Sequence, residues 1–329
     1  MDTPNHAPRC AYLFPGQGAQ TIGMLQDFAG HPLLQETFAA ASDALDLDLW
    51  KLACEGPKAE LDLTLNTQPI MLAAGFAVYR IWMAESGLQP AFLAGHSLGE
   101  YTALTAAGAI DFADAIRLVR LRAAAMTAAV ASAGGGMCAI LGLDATAVAA
   151  LCAQASLPGD IVEAVNLNGP TQIVIAGHRG ALGRAALLTR AQSHLCIDLP
   201  VSGPFHSSLM RPAADALAEH LAGISLRRPR IPVIHNYSAA PQDAQQTLAD
   251  LLVKQVYNPV RWTETVAYAL AHGVERMFEL GPGTTLTGLA RYIAPGLPCL
   301  AVNGERALQA ARACLQAAAP AEHQSVVHS

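Results

Sequence analysis

Gly95-His96-Ser97-Leu98-Gly99-Glu100 reads G-x-S-x-G. The apolar run Ala91-Phe92-Leu93-Ala94 leads into it, and Tyr101-Thr102-Ala103-Leu104-Thr105-Ala106-Ala107, good helix material, follows. The order is strand, sharp turn, helix, with serine at the turn. Glycine on both sides lets the backbone fold tightly without a side-chain clash, which lifts the hydroxyl out of the sheet. The amide of Leu98, at the helix start, then points at whatever the serine attacks. The same letters suit an ordinary Gly/Ser turn in an Ala- and Gly-rich chain. The strand before and the helix after favour a nucleophile, because that is the context the motif demands.

The rest of the composition bounds what such an elbow sits in. The chain has 329 residues, 52% of them hydrophobic, enough for a large core. That length suits two domains or one α/β domain with an insertion. Charged residues are only 14% and the net charge is −6, which argues against disorder and against nucleic-acid binding. Seven cysteines, Cys10, Cys54, Cys138, Cys152, Cys196, Cys299 and Cys314, are scattered without C-x-x-C spacing. They read as reduced thiols packed as small hydrophobes, which suits the cytoplasm. Met1 to His6 has neither a basic n-region nor an apolar h-region, so no signal peptide is expected. The longest uncharged run, Ala123 to Leu143, holds Gly134-Gly135-Gly136 and predicts a buried helix and a strand, not a membrane span.

Before the elbow, Arg9 to Phe14 predicts a strand and Pro15-Gly16-Gln17-Gly18-Ala19-Gln20 a loop at its C-terminal end, where ligands sit in an open α/β sheet. Residues 32–55 predict one helix. Asn66-Thr67-Gln68-Pro69 predicts the start of the next, Ile70 to Glu85. Asp111 reads as the cap of a helix that reaches about Val130 and carries Arg117, Arg120 and Arg122. By composition alone, an arginine among Leu118, Val119, Leu121 and Met126 is either a solvated edge residue or a buried anion clamp, and the solvated reading is the commoner.

After the glycines the texture changes to β-α-β-β-α-β: strands at Met137–Leu141, Ile161–Leu167, Gln172–Ala176 and Leu195–Val201, with helices at Asp144–Ala155 and Arg179–Thr189. That is the ferredoxin-like order. The expected architecture is α/β: an α/β-hydrolase-like large domain with a parallel sheet, residues 1–132 and 201–310, split by a ferredoxin-like subdomain, residues 133–200. Further on, Ile231–Asn236 and Glu275–Leu280 predict strands and Leu248–Val256, Thr263–Gly273 and 306–318 helices. The polar tail 319–329 reads as disordered.

A serine needs a base to attack a carbonyl. Among eleven histidines, His206 closes the loop Ser202-Gly203-Pro204-Phe205-His206 straight after a strand, where a ring is held; a surface loop histidine is the alternative. Neither Asp198 nor Asp215 is placed as a clear third triad member, and a backbone carbonyl suffices to accept the Nδ1 proton. No metal-ligand spacing, Walker loop or dinucleotide fingerprint appears, so neither metal nor cofactor is expected.

Phe14 to Gln20, Gly95 to Glu100, the Arg122 helix, Asn166-Leu167-Asn168-Gly169-Pro170, Gly203-Pro204-Phe205-His206-Ser207, Tyr257-Asn258-Pro259-Val260-Arg261-Trp262 and Gly281-Pro282-Gly283 recur in this order in one family. Over residues 10–305 the chain resembles the malonyl-CoA:acyl carrier protein transacylases. The resemblance implies Ser97 as nucleophile and His206 as its base. It implies the amides of Gln17 and Leu98 as oxyanion hole, Arg122 as clamp for the malonyl carboxylate and the Gln255 carbonyl as the group that steadies His206. The clamp role reverses the solvated reading of Arg122 on the strength of the family alone. It implies ping-pong transfer from malonyl-CoA to the phosphopantetheine thiol of an acyl carrier protein or polyketide synthase carrier domain, with no nucleic acid and no membrane involved. Phe205, where many fatty-acid members carry a small residue, and Leu98 resemble the malonyl-selective, polyketide-type enzymes; a fatty-acid role stays open. Docking of an acidic carrier would use Arg190, Arg211, Lys254 or Arg261. The rival readings are an acyl hydrolase that clears carrier proteins and a noncatalytic docking module of the same fold. A buried guanidinium is costly beside a neutral acyl group, so Arg122 favours transfer over hydrolysis.

Overall fold

The computed structural model describes residues 9–201 and 203–317. Its strands are β1 (Cys10–Phe14), β2 (Phe92–Gly95), β3 (Gly136–Leu141), β4 (Val162–Gly169), β5 (Gln172–Gly177), β6 (Leu195–Asp198), β7 (Val233–Ile234), β8 (Arg276–Leu280) and β9 (Cys299–Val302). They form two sheets. One is parallel, in the order β7-β2-β1-β8-β9. Helices cover both of its faces, so β1 is buried along its whole length and reads as an unbroken apolar run. Tyr12 and Phe14 point to one side, into the cluster with Trp82 of helix Thr64–Ser86; Ala11 and Leu13 point to the other, toward Trp262 and Leu286. The central position of β1 and β2 puts their C-terminal ends, Phe14 and Gly95, side by side.

The second sheet is antiparallel, ordered β4-β5-β3-β6. With helices Ala145–Ala155 and Arg179–Ala191 it realises the β-α-β-β-α-β order expected from the sequence. Asp144 caps the first of these helices by accepting the Ala147 N–H at 2.8 Å, as its residue type predicts. Cys138 and Ile140 pack on the helices, whereas Met137 and Ala139, on the opposite face of β3, turn toward the cleft described below. The Tyr257–Trp262 segment stitches β4 to the rest: Val260 N–H donates to Val165 O at 2.8 Å, and Leu167 N–H donates to Val260 O at 2.9 Å.

Several local expectations are corrected. The helix expected over 32–55 is two, Pro32–Leu45 and Leu49–Glu55: Asp46 takes φ +51°, and Asp48 opens the second by accepting the Lys51 N–H. Asp111 stands at the N-terminus of helix Phe112–Ala133 but makes no capping bond; its carboxylate pairs with Arg227 instead. The expected strand over 231–236 shrinks to Val233–Ile234. The strand expected to reach Val201 ends at Asp198. Residues 284–305, for which no element was expected, hold helix Thr285–Ile293 and β9. The tail 319–329 lies outside the described residues.

One correction bears on the site. Asn66 to Pro69 do not precede a helix; they lie inside helix Thr64–Ser86. A proline there leaves the carbonyl four residues back without its N–H partner. That carbonyl is Leu65 O, and Arg120 Nη1 donates to it at 2.8 Å and to Asn66 Oδ1 at 2.6 Å. The helix therefore tolerates Pro69, and Gln68 is carried next to Arg122. Among the described residues no helix is long and apolar enough to cross a membrane.

Candidate active site

The glycines of the elbow are there for contact as well as for conformation. A Cβ on Gly95 would lie 1.9 Å from Gly99 C, and one on Gly99 would lie 2.0 Å from Phe14 O. A Cβ on Gly16 would lie 2.5 Å from His96 O. The elbow after β2 and the loop after β1 are thus pressed together backbone to backbone, and Gln17 and Leu98 face one cleft with Ser97. We expect Gly99→Ala to cost more than the ~1–3 kcal/mol usual for overpacking, because backbone, not a flexible side chain, blocks the methyl. A urea melt of that variant overlapping the parent's would refute the close approach.

Ser97 has φ +52° and His206 φ +63°, both in the left-handed region that non-glycine residues seldom occupy. Strain of about 1–3 kcal/mol per residue persists only where the surroundings hold the chain. The result is a short contact: Ser97 Oγ lies 2.7 Å from His206 Nε2. His206 Nδ1 donates to Gln255 O at 2.9 Å, which leaves Nε2 as the acceptor for the serine proton. Asp198 is not the third member; it accepts from the Cys138 thiol at 2.9 Å on the edge strand. Burial, and then the positive charge of Arg122, push the His206 pKa down to about 3. The ring is therefore neutral near pH 7, as a base must be.

Arg122 is 2% exposed, which overturns the solvated reading of this arginine. Nη1 donates to Gln68 Oε1 at 2.9 Å; Nη2 donates to Gln255 Oε1 at 3.1 Å and reaches Ser97 Oγ at 3.3 Å. The Tyr101 ring lies under the guanidinium at 5.3 Å. Burial lowers the pKa of Arg122 from the usual arginine value. Burial also pushes the Tyr101 hydroxyl up to about 12, so the ring is neutral. Every hydrogen-bond partner of Arg122 is uncharged, and its Nε has none among the described residues. Glu100 acts on this cation only through space, across Gln255, so no carboxylate pairs with it directly. A buried guanidinium with no direct anionic partner beside a nucleophile is a seat for an anionic substrate group.

His96 points elsewhere, to Asn168 Oδ1 at 2.8 Å, and burial lowers its pKa. The cleft has a volume of about 530 Å³, and Gln17, Leu98, Phe205 and Asn166 share its lining with the serine, histidine and arginine. Gln255 contributes its side chain as well as its carbonyl. Nε2 donates to Ser97 O at 2.8 Å and to Glu100 Oε2 at 2.9 Å. Among the described residues no group of three or more His, Cys, Asp or Glu could hold a metal ion.

A model of the acyl transferase domain matches residues 11–291. The chain belongs to that family, among its malonyl CoA-acyl carrier protein transacylases. It is 48% identical over 303 residues to the malonyl CoA-acyl carrier protein transacylase of Escherichia coli K12, covering 92% of this chain and 98% of that protein. An acyl-carrier-protein S-malonyltransferase from Burkholderia pseudomallei superposes with a TM-score of 0.90 at 48% identity, over 93% of this chain and 99% of that one. A malonyl-transacylase solved in complex with its type II PKS acyl-carrier protein superposes equally, TM-score 0.90 at 44% identity, over 93% and 99%.

Of the family positions expected from sequence, Ser97, His206, Arg122 and Gln255 meet within hydrogen-bonding distance. Gln17, Leu98 and Phe205 line the same cleft. Gln68, Asn236 and Glu100 also reach this cluster, and sequence reasoning gave them no role. Glu100 had one available signal, its place one residue after the G-x-S-x-G. Gln68 and Asn236 had none, because each meets its partner from a distant part of the chain.

Proposed function

We propose that this protein transfers a malonyl group from malonyl-CoA, through an ester on Ser97, to the phosphopantetheine thiol of an acyl carrier protein. The observation that carries the reading is the buried Arg122 guanidinium, hydrogen-bonded only to neutral groups and 3.3 Å from Ser97 Oγ. Ser97 Oγ attacks the thioester carbonyl while its proton passes to His206 Nε2. The carbonyl electrons move onto oxygen, facing the amides of Gln17 and Leu98. Collapse breaks the C–S bond, and His206 returns the proton to the departing CoA thiolate. The carrier thiol then repeats the sequence in reverse: it gives its proton to His206, attacks the ester, and Ser97 leaves as the alcohol. Arg122 holds the distal carboxylate through both halves, and transfer in place of hydrolysis requires that the bound substrate keep water from the ester.

Phe205, 7% exposed in the cleft wall beside His206, would crowd a branch at the malonyl α-carbon; with Leu98 it favours malonyl over methylmalonyl and a polyketide-type role over fatty-acid supply. The active site holds all the chemistry in side chains and amides, and we assign it no cofactor. We take residues 1–132 and 201–310 as one unit, 133–200 as the inserted one, and the cytoplasm as the compartment. Of the cations proposed for carrier docking, Arg261 already pairs with Glu264, Arg211 stacks on Tyr257 at 4.4 Å and Lys254 on Tyr237 at 5.2 Å. Arg190 lies in the last turn of helix Arg179–Ala191.

Intact-mass spectrometry tests the reading. Malonyl-CoA should leave a malonyl adduct on Ser97 that moves to added holo carrier protein; free malonate appearing instead would make the protein a hydrolase, and no adduct would make it noncatalytic. The His206 environment adds a pH expectation. A base with its pKa lowered to about 3 is lost only in strong acid, so kcat/KM for serine acylation should show no fall between pH 8 and pH 5 from this group. An acid limb near the ordinary histidine value would overturn the assignment of the buried neutral ring.

A further inference from the structure

We propose that Asn236 is a positioning residue for the nucleophile: its carboxamide stands in for a strand peptide and holds the main chain on both sides of the elbow, with Glu100 holding Asn236 in turn. This rests on Ser97 being the reacting group.

Strand β7 pairs with β2 in parallel, Leu93 opposite Val233 and Ala94 opposite Ile234. Continued, that register sets Asn236 opposite His96. In a parallel ladder, a residue sends its N–H to the carbonyl before its partner and takes the N–H after it. Those groups are Gly95 O and Ser97 N–H. The main chain of Asn236 has left the sheet, however. Its N–H donates to Glu100 Oε2 at 3.0 Å, and its carbonyl accepts the Arg261 N–H at 3.1 Å. The side chain makes both ladder bonds instead: Nδ2 donates to Gly95 O at 2.6 Å, and Oδ1 accepts the Ser97 N–H at 2.7 Å. Only one orientation of the amide fits, because Gly95 O accepts and Ser97 N–H donates.

A side chain can follow the chain where a strand backbone cannot. Past Gly95 the elbow turns sharply and Ser97 takes φ +52°, a shape that persists only if held. Asn236 holds the serine N–H and Gln255 Nε2 holds the serine carbonyl at 2.8 Å. Both amides are set by one carboxylate. Glu100 is 0% exposed; its Oε2 accepts from Asn236 N–H and Gln255 Nε2, and its Oε1 lies 2.7 Å from His235 Nδ1. Two N–H donors, from Asn236 and Gln255, thus converge on one oxygen of this buried side chain.

A purely structural amide would lower stability and leave the chemistry of a folded variant alone. The test therefore uses two reagents on the full chain, phenylmethanesulfonyl fluoride, which needs a positioned serine but no carboxylate clamp, and malonyl-CoA. Asn236→Ala is expected to slow both serine sulfonylation and serine malonylation by about 10²-fold, the usual cost of a displaced reacting group, with the half-saturating malonyl-CoA concentration unchanged. In Asn236→Asp the ionised side chain accepts from Ser97 N–H but gives nothing to Gly95 O, whereas the protonated one does both. Its sulfonylation rate relative to the parent should rise as the pH is lowered, with Glu100 and His235 the titratable groups facing it. A folded Asn236→Ala that sulfonylates at the parent rate, or loses only malonyl-CoA affinity, overturns the proposal. If Asn236→Ala does not fold, a flat relative pH profile for Asn236→Asp overturns it. A parent protein that sulfonylates but takes no malonyl would sink the malonyl reading and leave this test intact.

Discussion

Ser97→Ala forms no malonyl adduct and transfers nothing to carrier protein above the uncatalysed rate. The hydroxyl lies 2.7 Å from the His206 acceptor nitrogen, so its removal deletes the attacking atom and the proton that the base takes. Loss of a catalytic serine costs on the order of 10⁶-fold in turnover in a comparable serine enzyme. The fold should survive. The main-chain bonds to Asn236 and Gln255 that hold position 97 use its N–H and C=O, which alanine keeps. Intact-mass spectra of a folded Ser97→Ala protein that still gained a malonyl group would move the nucleophile elsewhere.

The second large effect belongs to Arg122. In Arg122→Ala, malonyl loading should fall by about 10²–10³-fold, the range expected when one partner of a buried charge pair is removed. Acetyl loading, from a substrate with no distal carboxylate, should be spared. The two are to be measured as kcat/KM on the same preparation. An equal loss for both acyl groups would mean that Arg122 serves the serine and not the substrate. The geometry leaves room for that outcome to be seen, since Nη2 also reaches Ser97 Oγ. The same variant carries a pH signature. The Arg122 charge is the second cause, after burial, of the lowered His206 pKa. Without it, the protonated ring becomes easier to form, and the acid limb of the acylation profile should move up in pH.

Much of this was legible along the chain. Strand β1 and the run before Ser97 are continuous apolar stretches because helices cover both faces of their sheet. The order of the small sheet followed from its alternation of strands and helices, and Asp144 capped where its side chain predicts. Misreadings fell where a distant partner outvoted a local preference. Asp111 has the residue type of a cap, yet the Arg227 guanidinium takes its carboxylate. Pro69 reads as a helix boundary, yet Arg120 satisfies the carbonyl it strands and the helix runs on.

What the sequence determined by itself is the shape of the elbow and the elements around it, because glycine sterics, helical period and strand alternation act within a few residues of their cause. Only the tertiary structure decided that Arg122 is buried among neutral partners and that one carboxylate, Glu100, sets the two amides gripping Ser97. Those outcomes depend on which parallel strand lies beside β2 and on which helix ends face the cleft. Ser97 meets His206 across 109 positions, Asn236 across 139 and Gln255 across 158, and no local pattern fixes contacts at such separations.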